Sequence, residues 1–256
     1  MADAGVGSRR ACEQLIEEGR VRVNGIPIPG PPIWVNPGAD RIEVDGRPVT
    51  RRSRRNPIYL IVHKTRNTIC THADPEGRRR VFDLVPHPQR LFCVGRLDAE
   101  STGLVLLTDD GELAQHLTHP RYGVPKTYEV SIRGQITPAD VERLNRGIWL
   151  ADKTGRAAKA QAAAVQVLDR DRERTRLRIT LREGRNREIR RMLARLGFRV
   201  HRLKRIALGP LKLRGLPPGG WRELTRQEIS SLNELKSRTE ANTGKDGGVA
   251  AIRRQR

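Results

Sequence analysis

The run Gly95-Arg96-Leu97-Asp98-Ala99-Glu100-Ser101-Thr102-Gly103 feeds directly into Leu104-Val105-Leu106-Leu107, and no other stretch of the chain restricts its fold as tightly. Four consecutive aliphatic residues bounded by turn formers describe a core strand. Asp109-Asp110-Gly111 then makes a tight turn, Glu112 to Thr118 a helix, and Pro120 its stop. This order leaves Asp98 in a loop at the mouth of a core strand, flanked by an arginine and glycines. A nucleophile would sit there, although an isolated loop aspartate is ordinarily a cap or turn residue.

Two more properties narrow the function. A length of 256 residues suits a small domain joined to a larger one with a core of useful size. Fifty Lys and Arg against 29 Asp and Glu give a formal charge of +21, which calls for a polyanionic partner held through phosphate contacts, with nucleic acid first. No apolar run approaches the span of a bilayer and no basic amphipathic helix has a bulky apolar face, so a membrane partner is not expected. The N-terminus is small and polar, without a secretory pattern, and a cytoplasmic protein is expected. Cys12, Cys70 and Cys93 are odd in number and lack any Cys-x-x-Cys spacing, so they read as reduced thiols. His116 and His119 have no third ligand at a fitting spacing and read as helix-end residues, not as a metal site.

Along the chain, Ser8 is positioned to cap a helix that runs to about Glu18 and stops at Gly19, with Ala11, Leu15 and Ile16 as its apolar stripe. Valines alternate with arginines over residues 20–23 and close in an Asn24-Gly25 hairpin turn; a second strand and turn occupy Arg41 to Gly46, beyond the proline-rich stretch Pro27 to Pro37. Residues 49–57, centred on the Arg51-Arg55 charge run, read as a linker. Strands are expected at Ile58–Val62, Leu91–Val94, Tyr128–Ile132 and Arg176–Leu181. Thr137-Pro138-Ala139-Asp140 opens a helix, Arg187 to Leu196 is another, and Thr225 with Glu228 makes a capping box for the last. Ala157 to Ala164 has helical composition but runs into the alternating Val165–Leu168, which favours a strand. From Ser237 onward the chain is polar and weakly apolar, and residues 237–256 are expected to form a disordered basic tail.

The segment Gly95 to Pro120 resembles the catalytic motif of the pseudouridine synthases that modify ribosomal RNA, and its continuation and the Lys126-Thr127-Tyr128 sequel resemble the large-subunit members. The resemblance implies that Asp98 attacks the target nucleoside and that Tyr128 packs against the flipped base and assists proton removal. It further implies that Arg96 contacts the displaced RNA strand and that Lys126 lies on the RNA side. Glu183 to Leu193 resembles the family segment in which the arginine at position 190 pairs with the nucleophile, leaving Arg187 and Arg191 as phosphate contacts. The Leu203 to Leu211 run resembles the closing strand, where either Leu203 or Ile206 lines the uracil pocket.

Residues 4–25, with Ile42 to Gly46 behind them, resemble the alpha-L RNA-binding domain named for small-subunit ribosomal protein S-four. That likeness implies RNA contacts by Arg9, Arg10, Arg20, Arg22 and Asn24. Members usually carry an apolar helix before this point, so residues 1–48 are expected to be a copy lacking its first helix, with a true start upstream. The implied architecture is α+β: this small domain, then a catalytic domain over residues 58–236 built on a mostly antiparallel mixed sheet flanked by helices and loops. The implied protein is a monomeric isomerase acting on ribosomal RNA or a pre-ribosomal subunit without cofactor or metal. Its rival is a non-catalytic RNA-binding assembly factor, which would have no use for Asp98. A DNA-binding protein is disfavoured because no helix-turn-helix or dimerisation pattern accompanies the charge.

Overall fold

Ser8 caps the first helix as its place before two arginines suggests. In the computed structural model, which describes residues 1–36, 38–50, 56–151 and 155–246, its hydroxyl accepts from the Ala11 N–H at 3.1 Å and α1 spans Arg9–Glu17. Gly19 ends it at φ 69°. Four short strands follow: β1 (Val21–Val23), β2 (Ile26–Pro27), β3 (Ile42–Val44) and β4 (Arg47–Pro48), in the order β2–β1–β3–β4. Asn24 and Gly25 take φ 52° and 81°, and Asp45 and Gly46 take 51° and 73°, so both hairpins close through primed turns whose twist matches the strands. The helix stripe sits one residue later than expected: Ala11 is exposed and Cys12 is buried, sharing a face with the half-buried Leu15 and Ile16. A thiol of this size behaves as a small hydrophobe.

The chain divides into two units, Met1–Asn56 and Pro57–Arg256. Arg51 to Arg55, the centre of the expected linker, lie outside the described residues, as do residues 247–256 of the expected tail.

In the second unit the motif's apolar run becomes β7 (Thr102–Thr108), paired antiparallel with β5 (Tyr59–Lys64) and β6 (Phe92–Val94). Leu60, Val62, Val105 and Leu107 join one core cluster, while Tyr59, Ile61, Leu104 and Leu106 join the other. Strands covered on both sides have no polar face, which is why they read as unbroken apolar runs. After β7 comes α2 (Gly111–Thr118), whose cap Asp110 accepts from the Leu113 N–H at 2.9 Å, and then β8 (Lys126–Arg133). Next are α3 (Pro138–Arg146), β9 (Ile148–Ala151), β10 (Ala157–Ala160), β11 (Ala164–Arg170) and β12 (Arg174–Leu181). The unit closes with α4 (Glu188–Arg195), β13 (Val200–Leu208), β14 (Leu211–Lys212), β15 (Trp221–Glu223) and α5 (Arg226–Asp246).

Nine of these strands form one sheet in the order β11–β12–β8–β13–β7–β5–β15, with β14 on β13 and β6 on β7. Every pairing is antiparallel except β13 with β7. The architecture is thus the α+β mixed sheet the sequence implied. β9 and β10 make a separate ribbon, and pairing of Ala157 with Ala151 explains why the alanine-rich stretch is extended despite its helical composition.

Residues 237–246 depart from expectation by continuing α5 as helix. Leu232 and Leu235 seat the helix on the second core cluster, Lys236 reaches Glu112 of α2 at 3.2 Å, and Thr239 Oγ1 shares a 2.5 Å hydrogen bond with His116 Nε2. Tertiary anchors of this kind hold a segment whose own composition could not bury a core. His116 also stacks on Tyr122 with centroids 3.8 Å apart, and His119 Nδ1 accepts from the Arg121 N–H, so both histidines have structural work.

Candidate active site

β6 delivers the chain into the Asp98 loop and the buried β7 takes it away, so the loop's position is fixed by two paired strands. Within it the Ser101 N–H donates to the Asp98 carbonyl at 3.0 Å. The Ala99 carbonyl accepts from the Asn67 N–H at 2.8 Å and from Lys64 Nζ at 3.3 Å. Lys64, at the end of β5, is fully buried, also donates to the Thr65 carbonyl at 2.9 Å, and is pulled by burial down to about 8. Sequence reading passed over this residue, which lies two positions past the expected apolar strand Ile58–Val62.

The glycine after the loop has a steric cause. Gly103 takes φ 110° where β7 runs parallel to β13, and a Cβ there would lie 2.2 Å from the Arg205 carbonyl oxygen. Only glycine lets these two strands meet beside the site.

Asp98, Lys126, Tyr128, Arg187, Leu203 and Arg205 line one cleft of about 740 Å³, with the exposed Arg96 at its rim. Tyr128 and Lys126 come from β8, two residues apart on one face, and both are buried. Burial pulls Lys126 down to about 8, with repulsion from Arg205 adding to it. This lysine, expected as an RNA contact, is a buried wall of the cleft. Arg205, buried, donates Nε–H to the Leu104 carbonyl at 2.7 Å. Leu203 sits on the cleft side of β13, and Ile206 is not among the cleft walls.

The cation beside Asp98 is not the expected one. Arg187 Nη1 lies 3.6 Å from Asp98 Oδ2, whereas Arg190 Nη1 lies 3.5 Å from Glu100 Oε2 and 3.4 Å from the Val200 carbonyl. Arg187 occupies the cap position of α4 with φ 50°, outside the helix proper, and its side chain turns back to the Asp98 loop. Arg190, one turn inside, is held between Glu100 and β13. Burial pulls Arg190 down from the ordinary guanidinium range, with Glu100 opposing. Arg191, expected as a phosphate contact, instead donates to the Ala151 carbonyl of β9, because α4 packs on that ribbon.

Cys70 also lines the cleft, and here the structure joins what sequence left apart. A hydrogen bond from Cys93 draws the Cys70 thiol down, helped by nearby Lys64 and Arg205, and pushes Cys93 up.

In the first unit Arg9, Arg10 and Arg22 are exposed, as RNA contacts require. Arg20 is occupied: its Nε and Nη2 grip Asp45 at 2.8 and 2.6 Å and its Nη1 reaches Glu18 at 3.0 Å. Asn24 shapes its turn, accepting from the Arg41 N–H at 2.9 Å and donating to Asp40 at 2.9 Å. Two of the five expected contacts therefore have local partners.

The cleft thus sets the Asp98 loop at the junction of a parallel and an antiparallel strand pair. The family model for RNA pseudouridylate synthase matches residues 58–195 and that for the S4 domain matches residues 1–28, and the chain belongs to the RNA pseudouridylate synthase family. Over 237 residues it is 42% identical to the ribosomal large subunit pseudouridine synthase B of Bacillus subtilis (strain 168), covering 92% of this chain and 94% of that protein. Its Shigella flexneri counterpart is 40% identical (92% and 81% covered), as is an uncharacterized RNA pseudouridine synthase of Aquifex aeolicus (91% and 91%). Among solved structures, a pseudouridylate synthase crystal structure superposes with a TM-score of 0.65 at 26% identity, covering 90% of this chain and 96% of that one.

Proposed function

We infer that this protein is an RNA pseudouridine synthase that isomerises a uridine of large-subunit ribosomal RNA, with Asp98 as the nucleophile or base towards the sugar. The reading rests on one observation: Asp98 lines a cleft together with Tyr128 and Arg187, whose guanidinium lies 3.6 Å from its carboxylate. The likeness to relatives named for the large ribosomal subunit supports the choice of RNA.

The reaction breaks the bond between uracil N1 and ribose C1′, turns the base, and joins C5 to C1′, the proton lost from C5 being balanced by one gained at the freed N1. It is an isomerisation, so no atom or electron is gained overall. A carboxylate can engage C1′ while the base is free, and a nearby guanidinium favours its charged form. The Tyr128 ring offers a stacking surface for the extruded base, and its hydroxyl, at the cleft, is positioned to assist removal of the C5 proton. Extrusion costs a few kcal/mol, offset by stacking and backbone contacts. Leu203 supplies an apolar wall against the uracil. Arg96 at the rim meets the displaced strand, and Arg9, Arg10 and Arg22 hold structured RNA elsewhere. The protein works as a monomer in the cytoplasm, where its substrate is made; among the described residues no helix is long and apolar enough to cross a membrane.

Tritium release from C5-labelled uridine in transcribed large-subunit ribosomal RNA tests this. Release by the native chain and none by Asp98→Asn is the expected result. Equal release by both would remove Asp98 from the chemistry, and release by neither would return the chain to the class of RNA-binding assembly factors.

A further inference from the structure

Four arginines that the reaction leaves unused converge at one end of the large sheet. Arg133 ends β8, Arg174 opens β12 and Arg199 precedes β13, and these strands are neighbours in the order β12–β8–β13. Arg133 and Arg174 are direct cross-strand partners, and the Arg133 N–H donates to the Arg199 carbonyl at 3.2 Å. Like charges set opposite each other on adjacent strands destabilise a sheet. Arg66, after β5, faces the same space.

Together with Arg187 and Arg190 of the α4 region these four line a groove of about 710 Å³. Two carboxylates reach it, and one of them, Glu100, is already shared by Arg187 and Arg190 at 3.8 and 3.5 Å. Among the described residues Arg66, Arg133, Arg174 and Arg199 form no ion pair, and all four are exposed. Arg187 is a wall of both this groove and the Asp98 cleft, so the two spaces adjoin.

On the reading of the chain as an RNA pseudouridine synthase, we propose that this groove is a phosphodiester-backbone subsite, carrying the RNA strand that continues from the uridine seated at Asp98. A nucleoside inserted in the cleft bears a phosphate on each side, and the chain must leave past the cleft walls. Beyond Arg187 it meets the unpaired Arg133 and Arg174 at two strand ends and Arg66 and Arg199 in two loops. Their spread fits an extended polyanion and not a single small anion. The bound strand also relieves the repulsion between Arg133 and Arg174.

The test is the triple variant Arg133→Gln/Arg174→Gln/Arg199→Gln in the full chain, assayed on transcribed large-subunit ribosomal RNA. KM rises by about tenfold or more while kcat at saturating RNA stays at the native value. The plot of log binding constant against log salt becomes shallower by about two to three, as loss of three phosphate contacts requires. The thermal midpoint stays level or rises. A control, Arg143→Gln/Arg146→Gln, removes charges already paired with Asp140 and Glu142 and leaves both readings near native.

An unchanged KM and slope in a folded triple variant would overturn the proposal. So would an equal shift in the control, or a fall in kcat and thermal midpoint at constant slope, which marks a structural role only. Arginine-dependent binding of polyglutamate that outcompetes RNA would reassign the groove to an acidic protein. If native protein makes no pseudouridine yet the salt slope depends on these arginines, the functional reading fails and the groove stands.

Discussion

Lys126 carries its charge into an enclosed cleft, and burial holds it near 8 against an ordinary value of 10.5. Between those values the unfolded chain binds more protons than the folded one, so this residue makes stability rise as pH climbs from about 8 towards 10.5. Lys126→Met is therefore more stable than the native chain at pH 7, and that gap narrows by pH 9.5 in thermal melts. A gap independent of pH would show that the charge is not held in the fold. Beside Asp98, Arg187→Gln lowers kcat by on the order of 10²-fold, the scale of removing one preorganised charge-stabilising group, and Arg190→Gln lowers it less. Steady-state kinetics on ribosomal RNA decide the order, and the reverse ranking would place Arg190 at the working carboxylate. That Asp98 sits in a loop feeding a core strand was legible, because the apolar run and its turn formers are local to it. The partner of Asp98 was not, because helical spacing treats Arg187 as part of the helix, and its left-handed cap conformation is not written in that spacing.

At the level of elements, the parallel contact between β7 and β13 is the tightest constraint on the site. Gly103→Ala adds a Cβ that must displace backbone at φ 110°. Combining strain with overpacking gives a loss of about 3–5 kcal/mol in urea unfolding. Gly19→Ala, also at positive φ but with nothing near the new Cβ, costs about 1–2 kcal/mol. Similar losses for the two would show that β7 can move away from β13. Caps and turns were readable in advance, since Ser8, Asp110, Thr137 and Thr225 each act on the next three residues. The extension of α5 to Asp246 was not, because its anchors, Glu112 and His116, lie more than a hundred residues away in sequence.

Across the whole molecule the charge of +21 sets how binding responds to salt. Arg9, Arg10 and Arg22 in the first unit are exposed, so changing all three to Gln makes the salt slope of ribosomal RNA binding shallower by about two to three while kcat stays native. A native slope would leave that unit without a phosphate role. Sequence by itself determined what local forces decide: the capped helices, the primed turns, the apolar strands, and a carboxylate loop entering a core strand. It also determined the sign of the partner, because net charge needs no fold. Tertiary structure alone decided which arginine faces Asp98, that Leu203 lines the cleft, that Lys64 braces the loop from below, and that Arg133, Arg174 and Arg199 meet at one sheet end. Those relations join residues far apart in sequence through strand order and register, and no local propensity carries that information.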